Sequence, residues 1–246
     1  MKRITAILAV MLGLCLSAQA KLDPSNLISD GMVMQQNTEA RIWGTATPGA
    51  QITVTTSWNG ASYRTKADGA GCWNIYAKTP EASYKAYSMT IKGDGETIRI
   101  KDILIGEVWF ASGQSNMQMP MMGFYNCPVE NAAEYISAPA AKEKIRMFNV
   151  PAIQSYEPLT EVEGEWKGAE SETVPYMSAT AYFFARELNE VLDIPVGIIN
   201  CAYGGARIES WTPKEILETY PDEDLRRETI ESMIHYHRPY LAYNAM

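Results

Sequence analysis

From Glu39 to Lys101 apolar and polar positions alternate in short stretches, the period-two pattern of strands with one face in a core. Ile52, Val54, Thr56 and Trp58 share one parity, Asn59-Gly60 follows, and Tyr63-Arg64-Thr65-Lys66 returns. Asn-Gly suits a tight turn because both central positions need positive φ, so a hairpin is predicted there. The arrangement recurs where Met89-Thr90-Ile91 runs into Gly93-Asp94-Gly95 and Ile98-Arg99-Ile100. About six or seven such strands, with turn signals roughly every ten residues, predict a small all-β sandwich over residues 21–102.

Beyond Asp102 the period changes. Ile103-Leu104-Ile105-Gly106-Glu107-Val108-Trp109-Phe110 is a nearly continuous apolar run, expected of a central strand buried on both faces of a parallel sheet. Ala181, Phe184, Ala185, Leu188, Val191 and Leu192 recur at helical spacing. Asp193-Ile194-Pro195 stops that helix ahead of the apolar strand Val196-Gly197-Ile198-Ile199. Thr212-Pro213-Lys214-Glu215 has the form of a capping box, with Thr at N-cap and Pro at N1. Asp222 to Tyr236 reads as one more helix, with Ile230, Met233 and Ile234 on one face. Helix followed by strand implies a βαβ crossover, so residues 103–246 are predicted to form an α/β unit.

Composition narrows the function classes. The 246 residues are 46% apolar and 20% charged, as in ordinary globular proteins, and with Lys+Arg 21 against Asp+Glu 29, a formal net charge of -8, a basic face for phosphates has little to draw on. Nucleic acid is thereby excluded as an expected partner. Lys2 and Arg3 precede an apolar run from Ile4 to Leu16 that ends in Ser17-Ala18-Gln19-Ala20, the form of a signal peptide cleaved after Ala20. A membrane span needs roughly 20 apolar residues, so no stable insertion is expected once residues 1–20 are removed. Export to the periplasm or the medium follows. Leu14 stands before Cys15 where lipidation wants a small residue, which argues against a lipid anchor. Cys72, Cys127 and Cys201 remain, allowing at most one disulfide, and no Cys or His spacing suggests a metal site.

Two loops follow predicted strands at the carboxyl ends, where open α/β sheets place ligands. In Ala111-Ser112-Gly113-Gln114-Ser115-Asn116-Met117, Gly113 permits a sharp turn and Ser115 offers a hydroxyl. Amides around Ser115 would face a developing oxyanion if a helix begins there; otherwise the segment is a hydrogen-bonded turn. In Asn200-Cys201-Ala202-Tyr203-Gly204-Gly205-Ala206-Arg207-Ile208-Glu209-Ser210-Trp211, the glycines let a backbone N–H approach a ligand, and Arg207 suits a carboxylate or a sugar hydroxyl. The plainer alternative is a Gly-Gly turn, an Arg207–Glu209 surface ion pair and a core Trp211.

At these residues a resemblance becomes specific. Gly113-Gln114-Ser115-Asn116-Met117 with Gly204-Gly205-Ala206-Arg207-Ile208-Glu209-Ser210-Trp211 resembles the sialate O-acetylesterase family, and so do Leu27 to Gln36 and the passage from Gly93 to Trp109. That family is similar to SGNH-type hydrolases with a flavodoxin-like three-layer parallel sheet. The resemblance implies removal of acetyl groups from sugar hydroxyls, sialic acid foremost, with acetylated xylan or another glycan as alternatives. It further implies Ser115 as nucleophile, with its own N–H and that of Gly205 holding the oxyanion, and Gly204 as the less favoured donor. Gln114 and Asn116 would brace the loop or touch substrate, and Arg207 and Glu209 would line the sugar pocket. No metal or cofactor is implied.

The chain departs from that family in one respect: its base comes from an Asp-x-x-His motif, and no such motif occurs here. The chain is therefore expected to hold an N-terminal part of the catalytic fold, to be inactive or nearly so alone, and to expose apolar surface. His235 and His237 are substitute candidates for the base, with a solvated His235 and a partly buried His237 as the plainer expectation. Competing classes are a non-catalytic glycan-binding module using Trp58, Trp73 or Trp211, and a remnant without function.

Overall fold

The computed structural model describes residues 21–139 and 144–245. The leader read at residues 1–20, Cys15 included, lies outside the described residues. Strands β1 (Asp23–Pro24), β2 (Val33–Gln35), β3 (Glu39–Thr45), β4 (Gln51–Thr56), β5 (Ser62–Lys66), β6 (Cys72–Lys78) and β7 (Ser83–Gly93) precede the long β8 (Glu96–Gly113). Then come α1 (Ser115–Gln118), α2 (Ala132–Ser137), β9 (Ile145–Val150), β10 (Trp166–Gly168), α3 (Ala179–Leu192), β11 (Val196–Ala202), α4 (Lys214–Leu217) and α5 (Arg227–Ser232). One sheet is ordered β1-β3-β6; the other runs β10-β9-β11-β8-β7-β4-β5, with β2 also paired to β8.

Alternation places the core as the sequence pattern demands. β4 turns Ile52, Val54 and Thr56 inward, and β6 turns Trp73, Ile75 and Ala77 inward. Side chains from both sheets meet in one cluster with Met89, Ile91 and Ile103. Asp94-Gly95 forms a two-residue turn with φ of 50° and 73°, pairing Gly93 with Glu96. The Asn59-Gly60 turn differs from expectation. Only Gly60 has positive φ, and Thr55 pairs with Ser62 across a longer loop. The Asn59 carboxamide accepts from Thr56 Oγ1 at 2.6 Å and from the Ala61 N–H at 2.9 Å, so a side chain closes the turn without a left-handed Asn59.

β8 serves both halves of the large sheet. Up to Ile105 it pairs antiparallel with β7, and from Glu107 to Gly113 it pairs parallel with β11. Asp102, at φ 55°, kinks the strand inside its β7-paired part, where the register shifts between the Met89–Ile100 and Tyr87–Ile103 pairs. The compositional boundary at residues 102/103 thus falls inside one strand. Arg146, a buried side chain on β9, braces the kink: Nη1 donates to Gly31 O at 2.8 Å and Asp102 O at 2.5 Å, and Nη2 donates to Asp102 Oδ1 at 3.0 Å.

The expectation that Ile103 to Phe110 is buried on both faces holds only for its first part. Ile103, Leu104 and Ile105 are buried, whereas Trp109 is 44% and Phe110 57% exposed. Among the described residues, 107–113 pair with β11 alone, so the far side of β8 is an edge there. An apolar run reports a strand's need for cover and not that cover is present. Trp109 gains partial shelter from Phe184, ring centroids 5.1 Å apart.

α3 begins at Ser178, whose Oγ accepts from the Ala181 N–H, and ends at the left-handed Asp193. It buries Ala181, Tyr182, Ala185 and Asn189 against Met147, Val196 and Ile198. Phe184, Val191 and Leu192, expected on the buried stripe, are exposed. The opposite face of β9 and β11 presents Phe148, Val150 and Cys201 to the cluster holding Met32 and Met34. The N-terminal segment therefore covers that face, in place of the second helix layer a three-layer winding predicts.

Near the end of the chain the sequence reading needs two corrections. Thr212 does not cap a helix; its Oγ1 donates to Ile208 O at 2.9 Å, and α4 starts after Pro213. The helix expected from Asp222 to Tyr236 is only α5, followed by a 3-10 turn over His235–His237. Asp224 is engaged instead by the guanidinium and then the backbone N–H of Arg226, which hold its carboxyl well below the usual carboxylate range. No helix among the described residues is long and apolar enough to cross a membrane.

Candidate active site

Ser115 stands where β8 gives way to α1. Gly113, at φ 155°, makes the turn, and Ser115 opens a single helical turn closed by Gln118 N–H to Gln114 O and Met119 N–H to Ser115 O. The serine is exposed, and neither its Oγ nor its N–H has a hydrogen-bond partner among the described residues. α1 is anchored by Thr180 Oγ1 donating to Asn116 O at 3.0 Å and by Ala179 N–H donating to Met119 O at 2.8 Å.

The second loop leaves β11 beside it. Ala202 pairs with Gly113, and the Tyr203 N–H donates to Gly113 O at 2.9 Å. A Cβ on Gly204 would lie 3.8 Å from Ser115 Cα, in ordinary contact, and 2.5 Å from Gln118 Oε1, so a side chain here would push the Gln118 carboxamide aside. The two loops are thus in contact through Gly204. Gly204 N–H donates to Gln118 Oε1 at 2.9 Å. Gly205 N–H makes no hydrogen bond among the described residues. Gly205 has φ 79° and lies under the ring of Tyr236.

The remaining candidates divide. Gln114 points to the partner loop, its Nε2 donating to Ala206 O. Asn116 keeps an exposed side chain. Arg207 is exposed and makes no ion pair with Glu209. Glu209 turns inward, its Oε2 sealed from solvent without a partner, and the indole N–H of Trp211 is in the same condition. Trp73, offered as a sugar platform, is 2% exposed and donates to Thr45 O. Trp58 is tied down through Nε1 to Lys78 O.

His235 and His237 sit on the turn that packs against the glycine loop. The rings of His235 and Tyr203 are 6.1 Å apart, and Ser210 Oγ donates to Tyr236 O at 3.1 Å. Neither histidine is hydrogen-bonded to Ser115 or to a carboxylate among the described residues. Burial raises the Tyr203 phenol above its ordinary value, the nearby Arg238 opposing that shift. A groove of 450 Å³ opens at the carboxyl end of β9, lined by Asn149, Glu165, Lys167, Glu172 and Tyr176 among others. Ser115 does not line it.

Sequence reading missed Gln118. Its signal was present: it lies four residues after Gln114, hence one turn along and on the same face of α1.

The comparisons bear on this pair of loops. The chain matches the family described as "Carbohydrate esterase, sialic acid-specific acetylesterase" over residues 105–236, a stretch that includes both. Sialate O-acetylesterase from Mus musculus is 31% identical over 222 residues, 84% of this chain and 40% of that protein. The Homo sapiens counterpart is 32% identical over 204 residues, 76% of this chain and 38% of that protein. Among solved structures, a carbohydrate acetylesterase from Xanthomonas citri superposes with a TM-score of 0.76 at 30% identity, covering 91% of this chain and 47% of that one. These likenesses set the chain among the carbohydrate esterases. It belongs to the sialic acid-specific acetylesterase family, and it spans about 40% of the length of the curated relatives it matches.

Proposed function

We propose that the chain is the serine-bearing part of an exported carbohydrate O-acetylesterase, with acetylated sialic acid as the favoured substrate and other acetylated glycans as the alternative. Ser115 Oγ attacks the acetyl carbonyl and passes its proton to a base. The carbonyl oxygen, now negative, accepts from the N–H groups of Ser115 and Gly205. The C–O bond to the sugar breaks, the sugar oxygen takes the proton, and water then releases acetate from the acyl-serine. Arg207 and Asn116 meet the sugar. This chemistry needs no metal or cofactor. The β-rich segment 21–102 is read as a sandwich module joined to the catalytic unit. Residues 1–20 direct export and are removed.

One observation carries the reading: an unbonded serine hydroxyl and an unbonded glycine N–H occupy touching loops at the carboxyl ends of adjacent parallel strands. The 246 residues contain no Asp-x-x-His, so the chain alone is expected to turn over acetyl esters slowly or not at all.

The test is covalent labelling of the chain from Lys21 with a fluorophosphonate, with and without added imidazole as a soluble base. An adduct located by mass spectrometry on Ser115, faster with imidazole and absent in Ser115→Ala, supports the reading. Imidazole-dependent acetate release from O-acetylated sialic acid ahead of acetylated xylan supports the substrate. An adduct on another residue, or none in either condition, sinks it.

A further inference from the structure

We propose that Gln118 is a positioning residue which, with Gln114, clamps the second loop so that the Gly205 N–H stays free and aimed at the acyl oxygen; this rests on Ser115 being the nucleophile. The two glutamines project from either end of α1 toward three consecutive residues. Gln114 Nε2 donates to Ala206 O, and Gln118 Oε1 accepts from Gly204 N–H. Gly205 lies between the two held groups, and its amide is the one left without a partner. A loop held on both sides of Gly205, and further tied by Ala206 N–H to Tyr203 O at 3.1 Å, has little freedom to rotate the peptides between, which is what pre-organised stabilisation of a developing charge requires.

The clamp also assigns the two glycines different duties. Gly204 lets the clamp close: Gln118 Oε1 lies 2.5 Å from where a Cβ would be, so a side chain here would displace the carboxamide from its hydrogen bond. Its amide is spent on the clamp and is unavailable to substrate. Gly205 needs φ 79° so that the chain reverses between the two held points, and Tyr236 closes over it, 2.9 Å from an imagined Cβ. Gln118 touches neither the serine hydroxyl nor the substrate in this scheme; its whole effect passes through the Gly204–Gly205 peptide.

Two measurements on the chain from Lys21 test this. The first is amide hydrogen exchange of Gly204, read by NMR. Gly204 N–H has Gln118 Oε1 as its acceptor, so Gln118→Ala is expected to speed its exchange by about ten-fold, the effect of losing one ordinary hydrogen bond. Gln118→Glu keeps the acceptor and is expected to restore protection. The second is the rate of imidazole-assisted fluorophosphonate labelling at Ser115, expected to fall by about ten-fold in Gln118→Ala while the melting temperature falls by only the few degrees that one hydrogen bond is worth, and to recover in Gln118→Glu.

Unchanged Gly204 exchange in Gln118→Ala would overturn the clamp. Faster exchange with undiminished labelling would overturn its positioning role. If the unsubstituted chain takes no label, the nucleophile assignment fails and the positioning role fails with it, while the exchange result still decides whether the clamp exists.

Discussion

Arg146 offers the most direct test of how the two halves of the large sheet are joined. Arg146→Met keeps much of the aliphatic length but deletes the guanidinium that serves Gly31 O, Asp102 O and Asp102 Oδ1. The arginine side chain is 3% exposed, so the two carbonyls that lose their donor are left in a site poorly reached by water. Each unsatisfied group costs about 1–3 kcal/mol. The Asp102 side chain is 54% exposed and regains water on losing its partner, so its share is small. Removing the desolvation burden of a buried guanidinium offsets part of the loss. The balance is about 3 kcal/mol, equivalent to a fall of roughly 6–12 °C in melting temperature for a chain of this size. Urea titration followed by tryptophan fluorescence is the assay, with an unchanged m-value as the sign that the native state is otherwise intact. Arg146→Lys keeps the charge but not the fork and should fall between the two. A loss below about 1 kcal/mol would refute the idea that this side chain locks β9 to the kink.

Two further predictions follow from burial. With Trp109, Phe110 and Phe184 exposed along the edge of β8, the native chain should bind a hydrophobic dye, and Trp109→Thr with Phe110→Thr should remove most of that signal; a native chain that binds no dye argues against an open edge. Cys72 and Cys127 are exposed and Cys201 is buried, with its thiol pushed up to about 11 by burial, so in the folded chain from Lys21 a thiol reagent should modify Cys72 and Cys127, and Cys201 only on unfolding. The sign for stability follows. The folded state holds this proton more tightly than the unfolded state, so the contribution is complete below the unfolded pKa of about 8.5 and is lost as pH rises toward 11. A Cys201→Ala chain should lose less stability over that alkaline range than the unsubstituted chain.

The short strands and the two loops were legible because their signals are local. Alternation along β4 and β6 fixes which side chains face the core, and glycines at 113, 204 and 205 mark where a chain must turn or draw close. Contact between the loops rests on β11 lying next to β8, which a helix-then-strand pattern suggests and only pairing decides. What escaped the sequence depends on neighbours. Trp109 and Phe110 look like core until the far side of their strand is seen to lack a partner. Phe184 and Val191 fit a helical stripe, yet the sheet touches α3 along a line through Tyr182 and Asn189. Asn59 was read for its backbone when its side chain makes the turn. Gln118 carries no distinctive chemistry, and its role exists only because Gly204 is within reach.

The 18-residue strand β8 has a consequence for anyone dissecting this molecule. Its first part belongs to the β-rich module, and its last residue, Gly113, lies two positions before Ser115. Severing the polypeptide at residue 102 would leave each piece with a torn strand, so the module is not a removable accessory. Strain introduced among β4, β7 and β8 has a continuous, hydrogen-bonded rod along which to reach Ser115, and the two regions should melt together as one unit.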